Sequence, residues 1–163
     1  MKLTPRRVAR GILWRANDAL QQVRKRVRIW NLERRSRARA RSGVPYFDHE
    51  RLTRSYMTAW ALLLAEDPTA ARGSFLEFGV YYGSSVACMY DALGRLGLPG
   101  VRIYGFDSFE GLPASAAREA GSPWIRGQFR SSLSLTRHYL ASRGVPEDGV
   151  TLIKGWFSET ATD

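Results

Sequence analysis

An α/β fold built on a parallel sheet is the class this sequence predicts, on three observations. Short apolar runs at 74–80, 102–106 and 150–154 are separated by helix-patterned stretches at 84–96 and 131–143. The first run is apolar on both alternating faces, as a fully buried strand covered by helices requires. The strand–helix–strand–helix–strand order calls for right-handed crossovers between parallel strands. Three strands and two crossover helices make half of a doubly wound sheet, so the expected fold is truncated after its third strand and preceded by basic N-terminal helices.

Composition divides the chain. A length of 163 residues with 44% hydrophobic content suits one core plus a tail. The net charge of +10 is uneven: residues 1–42 hold fourteen Lys and Arg against Asp18 and Glu33, while 43–163 hold eleven against thirteen acids. We therefore set a basic amphipathic tail at 1–42 and a cofactor-binding body at 43–163. Such a tail is solvated or meets something acidic. Cys88 is the single cysteine, which rules out an intrachain disulfide or a multi-cysteine zinc site and fits a reducing, cytoplasmic setting. No apolar stretch reaches the roughly 18 residues that span a bilayer, and the N-terminus lacks the features of a secretory signal.

From Pro5 to about Arg41, the residues Val8, Ile12, Leu13, Leu20, Val23, Val27, Ile29, Trp30 and Leu32 recur at helical intervals among arginines. One or two basic amphipathic helices are expected. Their apolar side, Trp14 included, suits packing on the body or on a second copy, which leaves a homo-oligomer open, or contact with an anionic membrane surface. Nucleic acid is the weaker partner, because no aromatic-rich sheet pattern is present. Gly43-Val-Pro45 breaks the pattern, and Asp48 caps a helix from about His49 to Ala65 that Asp67-Pro68 ends. Next come the strand at 74–80, the helix at 84–96, the loop at 97–100 and the strand from Arg102 to Phe106. A Gly-, Pro- and Ser-rich loop at 107–130, anchored by Trp124 and Phe129, leads to the helix at 131–143. The Gly144-Val-Pro146 turn then starts the strand from Val150 to Lys154.

The first strand ends in Glu77-Phe-Gly79-Val-Tyr81-Tyr-Gly83-Ser84-Ser85. Ligands of open parallel sheets sit beyond the carboxyl ends of the strands. Glycines there let backbone approach a ligand, and the next helix offers free N–H groups. Glu77 would repel a pyrophosphate, and the third glycine of a dinucleotide fingerprint is missing, so an NAD-linked dehydrogenase is disfavoured. Asp107 closes the second strand, where an acid can accept both hydroxyls of a ribose. Its plainer reading is an Asx turn; the glycine loop at this spacing favours the ribose. Glu110 reads as a solvated loop residue.

Residues 77–85, the run Tyr104-Gly-Phe-Asp-Ser-Phe-Glu-Gly-Leu-Pro113, Gly127-Gln-Phe129 and residues 152–160 resemble the macrocin O-methyltransferase (TylF/MycF-like) group of class I S-adenosylmethionine (SAM)-dependent methyltransferases. The resemblance covers roughly residues 45–160 and not the tail. It implies a Rossmann-like sheet, with this chain as its N-terminal, SAM-binding part. It also implies methyl transfer to a small-molecule hydroxyl, on a sugar of a natural product in the best-known members, with magnesium assisting in the full-length protein. Under it, Glu77, Gly79, Tyr81, Gly83, Ser84 and Ser85 hold the methionine part of SAM and Asp107 its ribose. Ser108 and Phe109 lie near the adenosine, and Gly155 and Trp156 near the adenine.

The family's metal ligands and catalytic acid/base follow later strands, so no catalytic or metal-binding residue is assigned; Asp148, Glu159 and Asp163 are not promoted to those roles. His49 and His138 read as helix-surface residues and Cys88 as a small core residue. Two other classes stay open. One is a non-catalytic truncated methyltransferase fragment, the other a basic-tail module that binds a membrane or partner on an α/β scaffold.

Overall fold

The computed structural model describes residues 5–117 and 123–160, with side chains from residue 17 onward except that of residue 117. The side chains of Val8, Ile12, Leu13 and Trp14, and all of Asp163, lie outside the described residues. By its contacts the chain divides into residues 1–35 and 36–163. Helix α1 (Pro5–Arg41) is one continuous helix of 37 residues where one or two were expected. In residues 17–35, Trp30 and Arg34 meet through a guanidinium 5.6 Å from the indole centre.

In residues 36–163, the end of α1 is anchored locally. Ala40 is fully buried, and the Arg39 guanidinium donates to the Pro45 carbonyl at 2.7 Å. Helix α2 (His49–Glu66) starts where Asp48 accepts the Arg51 N–H at 3.0 Å, the cap expected from sequence. Asp67 ends it and caps the following 3₁₀ turn, Pro68–Arg72. Strand β1 (Ser74–Phe78), helix α3 (Ser84–Leu96), strand β2 (Arg102–Asp107), helix α4 (Leu133–Ser142) and strand β3 (Thr151–Lys154) follow in the expected order. A short helix, α5 (Phe157–Thr160), had no periodicity long enough to be read.

The sheet is parallel throughout, in the order β1-β2-β3, with Leu76 opposite Tyr104 and Phe106 opposite Ile153. Strand β1 stops two residues short of the expected end because Gly79 turns to φ 93°. Its coverage also differs from expectation. Phe75 faces the helices and meets Tyr56 of α2. Leu76 and Phe78 remain about half exposed on the opposite face, at 49% and 52%. There Phe78 stacks on Phe106 and meets Phe157 edge-on. Among the described residues, then, β1 is covered on one face rather than two.

The core lies between that helix-facing side and α2, α3 and α4. Val86, Ala87 and Met89 of α3 are buried with Trp60, Val80, Ile103, Tyr139 and Leu140. Each buried Val, Leu or Met side chain contributes about 1.5–3 kcal/mol. Trp60 places its indole N–H 3.2 Å from the Met89 sulfur, so its polar edge is not stranded. Helix α3 stops at Gly97, in left-handed conformation, with the Leu98 N–H returning to the Leu93 carbonyl. These contacts fix where the β1–α3 loop sits against β2.

Candidate cofactor site

Beyond the carboxyl ends of β1, β2 and β3 lies a cavity of about 520 Å³, within the usual range for a small-molecule site. Gly79, Tyr81, Ser84 and Ser85 line it from the β1–α3 loop and helix start. Asp107 and Ser108 line it from the end of β2, and Gly155 and Trp156 from the end of β3. The fold therefore brings together eight of the eleven residues singled out from sequence. Glu77, Gly83 and Phe109 are not on its wall.

The two glycines of the loop do different work. A side chain at Gly79 would meet nothing within 4 Å, and its φ of 93° suits glycine. Its backbone thus stands open to the cavity. At Gly83 a Cβ would lie 3.0 Å from Leu140 of α4, so this glycine lets two helices approach rather than a ligand. Phe109 is buried.

Glu77 sits behind the wall, on the helix side of β1. Ser85 donates its hydroxyl proton to Glu77 Oε1 at 2.6 Å, while Oε2 is buried with no hydrogen-bond partner among the described residues. Burial pushes its pKa up to about 7; the Ser85 hydrogen bond opposes this and the Asp107 charge adds to it. A buried carboxylate oxygen left without a donor is costly, and a cationic donor beside it would relieve that cost.

Asp107 performs the Asx-turn role and more. Its Oδ1 accepts the Phe109 N–H at 2.6 Å and its Oδ2 accepts the Tyr81 N–H at 2.8 Å. Both donors belong to residues with positive φ, 57° and 55°. Phe129, at φ 62°, is the third such residue among those described that is not glycine. Its ring meets that of Tyr81 edge-on at 5.8 Å. Left-handed backbone at large side chains carries strain and clusters where function over-determines it. Here it gathers at one cavity.

Sequence reasoning missed Tyr46, Phe47, Phe129 and Phe157, and the turn at residues 111–113, as residues of the wall. Tyr46 and Phe47 arrive because the Tyr46 N–H donates to Ser84 Oγ at 2.9 Å across 38 residues. Gly111, Leu112 and Pro113 are held by Leu112, whose backbone pairs with Gln128 and Gly127. That pairing also brings in Phe129, seen in the sequence as a loop anchor and as part of a family motif but not as a wall residue. Phe157, from α5, completes the wall. Among the described residues, Asp107 is the one charged side chain lining this cavity. Cationic side chains gather elsewhere: Arg37, Arg41 and Arg130 line a separate cleft at the start of α4.

A second constellation invites comparison with a nucleophilic triad. Cys88 Sγ lies 3.2 Å from His49 Nδ1, and His49 Nε2 lies 3.1 Å from Asp91. Cys88 is completely buried, it lines neither of the two cavities described above, and burial raises its thiol pKa. Sulfur that no substrate can touch is a core group, and the trio acts as a polar clamp between α2 and α3. Among the described residues no group of three or more His, Cys, Asp or Glu side chains could hold a metal.

A parallel sheet with a glycine turn at its carboxyl edge and an acid closing the second strand defines a Rossmann-like α/β fold. More particularly, the chain belongs to the macrocin-O-methyltransferase (TylF) family, whose model matches residues 1–163. The family pattern thus includes the basic helix, which the motif resemblance had left out. Among solved structures, the crystal structure of CalS11, a calicheamicin methyltransferase, is similar at 21% identity and a TM-score of 0.45. The alignment covers 64% of this chain and 47% of that one, so the chain spans about half the length of that protein. No curated protein sequence matches.

Proposed function

We propose that the protein is a SAM-dependent O-methyltransferase acting in the cytoplasm on a hydroxyl of a small molecule, of the natural-product or sugar class. The observation that carries this reading is a cavity walled by Asp107 and aromatic rings, with Glu77 Oε2 behind it, unpartnered among the described residues, and no Arg or Lys among the described residues of its wall. That donor set fits SAM, which has an ammonium and a sulfonium and no phosphate.

The start of α3, with Ser84, Ser85 and Glu77, would hold the methionine part. Asp107 keeps unused lone pairs on both oxygens after its two backbone bonds, and these would accept ribose hydroxyls. Ser108, Gly155 and Trp156 would flank the nucleoside. Tyr46, Tyr81 and Phe129 would exclude water from it. When bound, SAM supplies a methyl group on a positively charged sulfur, open to in-line attack by an acceptor oxygen. Holding two reactants in such alignment contributes up to about 7–11 kcal/mol.

The test is titration calorimetry of the 163-residue chain with S-adenosylhomocysteine. Binding that Asp107→Ala abolishes supports the reading. No binding, or binding that ignores Asp107→Ala, would sink it.

A further inference from the structure

In residues 17–35, Leu20, Val23, Val27 and Trp30 recur at spacings of three and four and so form one stripe along α1. They are exposed to 47%, 56%, 53% and 55%, whereas Ile29, roughly half a turn from the stripe, is buried. Arg24 and Arg28 border the stripe on one side and Arg26 on the other. The segment holds six Lys and Arg against Asp18 and Glu33, a net charge of +4. Exposed apolar surface set between cations needs a partner that is apolar inside and anionic at its edge. Nucleic acid meets the charge but not the stripe. A second copy of the helix meets the stripe but not the charge. The next residue on the seam is Arg34, which parallel pairing would set against its own counterpart and antiparallel pairing against the apolar end of the other stripe. No described helix is long and apolar enough to cross a membrane.

We propose that residues 17–35 lie in the plane of an anionic lipid surface. Leu20, Val23, Val27 and Trp30 enter the acyl boundary, and Arg24, Arg26 and Arg28 meet headgroup phosphates. Co-sedimentation of the full chain with phosphatidylcholine vesicles, with and without phosphatidylglycerol, tests this. Binding is expected only with phosphatidylglycerol, weakening as salt rises, with a blue shift of tryptophan emission that Trp30→Phe removes. Val23→Ser with Val27→Ser leaves the charge intact and should weaken binding about tenfold or more; Arg24→Gln with Arg28→Gln leaves the stripe intact and should do the same. Helix content from circular dichroism confirms that both variants fold.

Three results would overturn the proposal: equal binding to neutral vesicles, undiminished binding by the valine variant, or no vesicle binding together with a dimer that the valine variant dissociates. Because S-adenosylhomocysteine titration of the same variants reads the cofactor cavity separately, failure here leaves the methyltransferase reading untouched.

Discussion

The carboxylate of Asp107, at the end of β2, accepts the backbone N–H of Tyr81, in the loop after β1, at 2.8 Å. One buried acid thereby ties the cavity's two walls together and holds Tyr81 at φ 55°. The same acid is the ribose acceptor of the proposed function, so its structural and binding roles are coupled.

Asp107→Asn separates those roles. An amide offers one acceptor oxygen and sets its NH2 against one of the two backbone donors, Tyr81 or Phe109. Stability should fall by about 2–3 kcal/mol, a drop in Tm of roughly 4–12 °C. Thermal denaturation checks this. S-adenosylhomocysteine affinity should fall well beyond the loss of folded fraction.

Glu77 gives a pH dependence of known sign. Its folded pKa of about 7 lies above the ordinary 4.5, so the unfolded chain loses this proton first as pH rises. Its contribution to stability is therefore fully present below pH 4.5 and declines as pH climbs through 7, by about 3 kcal/mol in all. Glu77→Gln should remove that decline and raise Tm at pH 8 by several degrees, read by calorimetric scans across pH. It should also weaken S-adenosylhomocysteine, because the ammonium loses its counter-charge. In the wild type, affinity should fall as pH drops through about 7.

Gly79 and Gly83 should fail differently. Alanine at either position meets a positive φ that costs about 1–2 kcal/mol. Gly79→Ala projects its methyl into open space beside the cavity, so ligand affinity should fall most. Gly83→Ala presses on Leu140, so stability should fall most, and adding Leu140→Ala should not cost its usual further amount. Urea denaturation and calorimetry distinguish the two outcomes.

The Cys88–His49–Asp91 trio should prove structural. Native protein should resist a thiol reagent until unfolded, and Cys88→Ser should leave S-adenosylhomocysteine binding unchanged. Rapid native modification, or lost binding, would assign the trio a chemical role instead.

Much of this was legible in one dimension. The helix start at Asp48, the stop at Gly97 and the acid Asp107 at the end of β2 follow from residues that act on their immediate neighbours. The cavity wall was legible only in part. Tyr46 reaches it through Ser84 and Phe129 through Tyr81, contacts across 38 and 48 residues that no local pattern encodes. The covering of β1 was misread for a related reason: an apolar strand looks the same whether one face or both are packed.

The sequence by itself determined the order of strands and helices, the glycine turn, the acid at the end of β2, the basic helix, and the family resemblance of residues 45–160. Those depend on periodicity and on backbone freedom, which neighbouring residues set. Only the tertiary structure decided that Gly83 packs on a helix while Gly79 faces a cavity, that Asp107 bridges two loops, and that Glu77 keeps one oxygen buried without a partner. Each of these depends on which distant segments share a volume, and the parallel pairing of β1 with β2 settles that when it brings their carboxyl ends side by side.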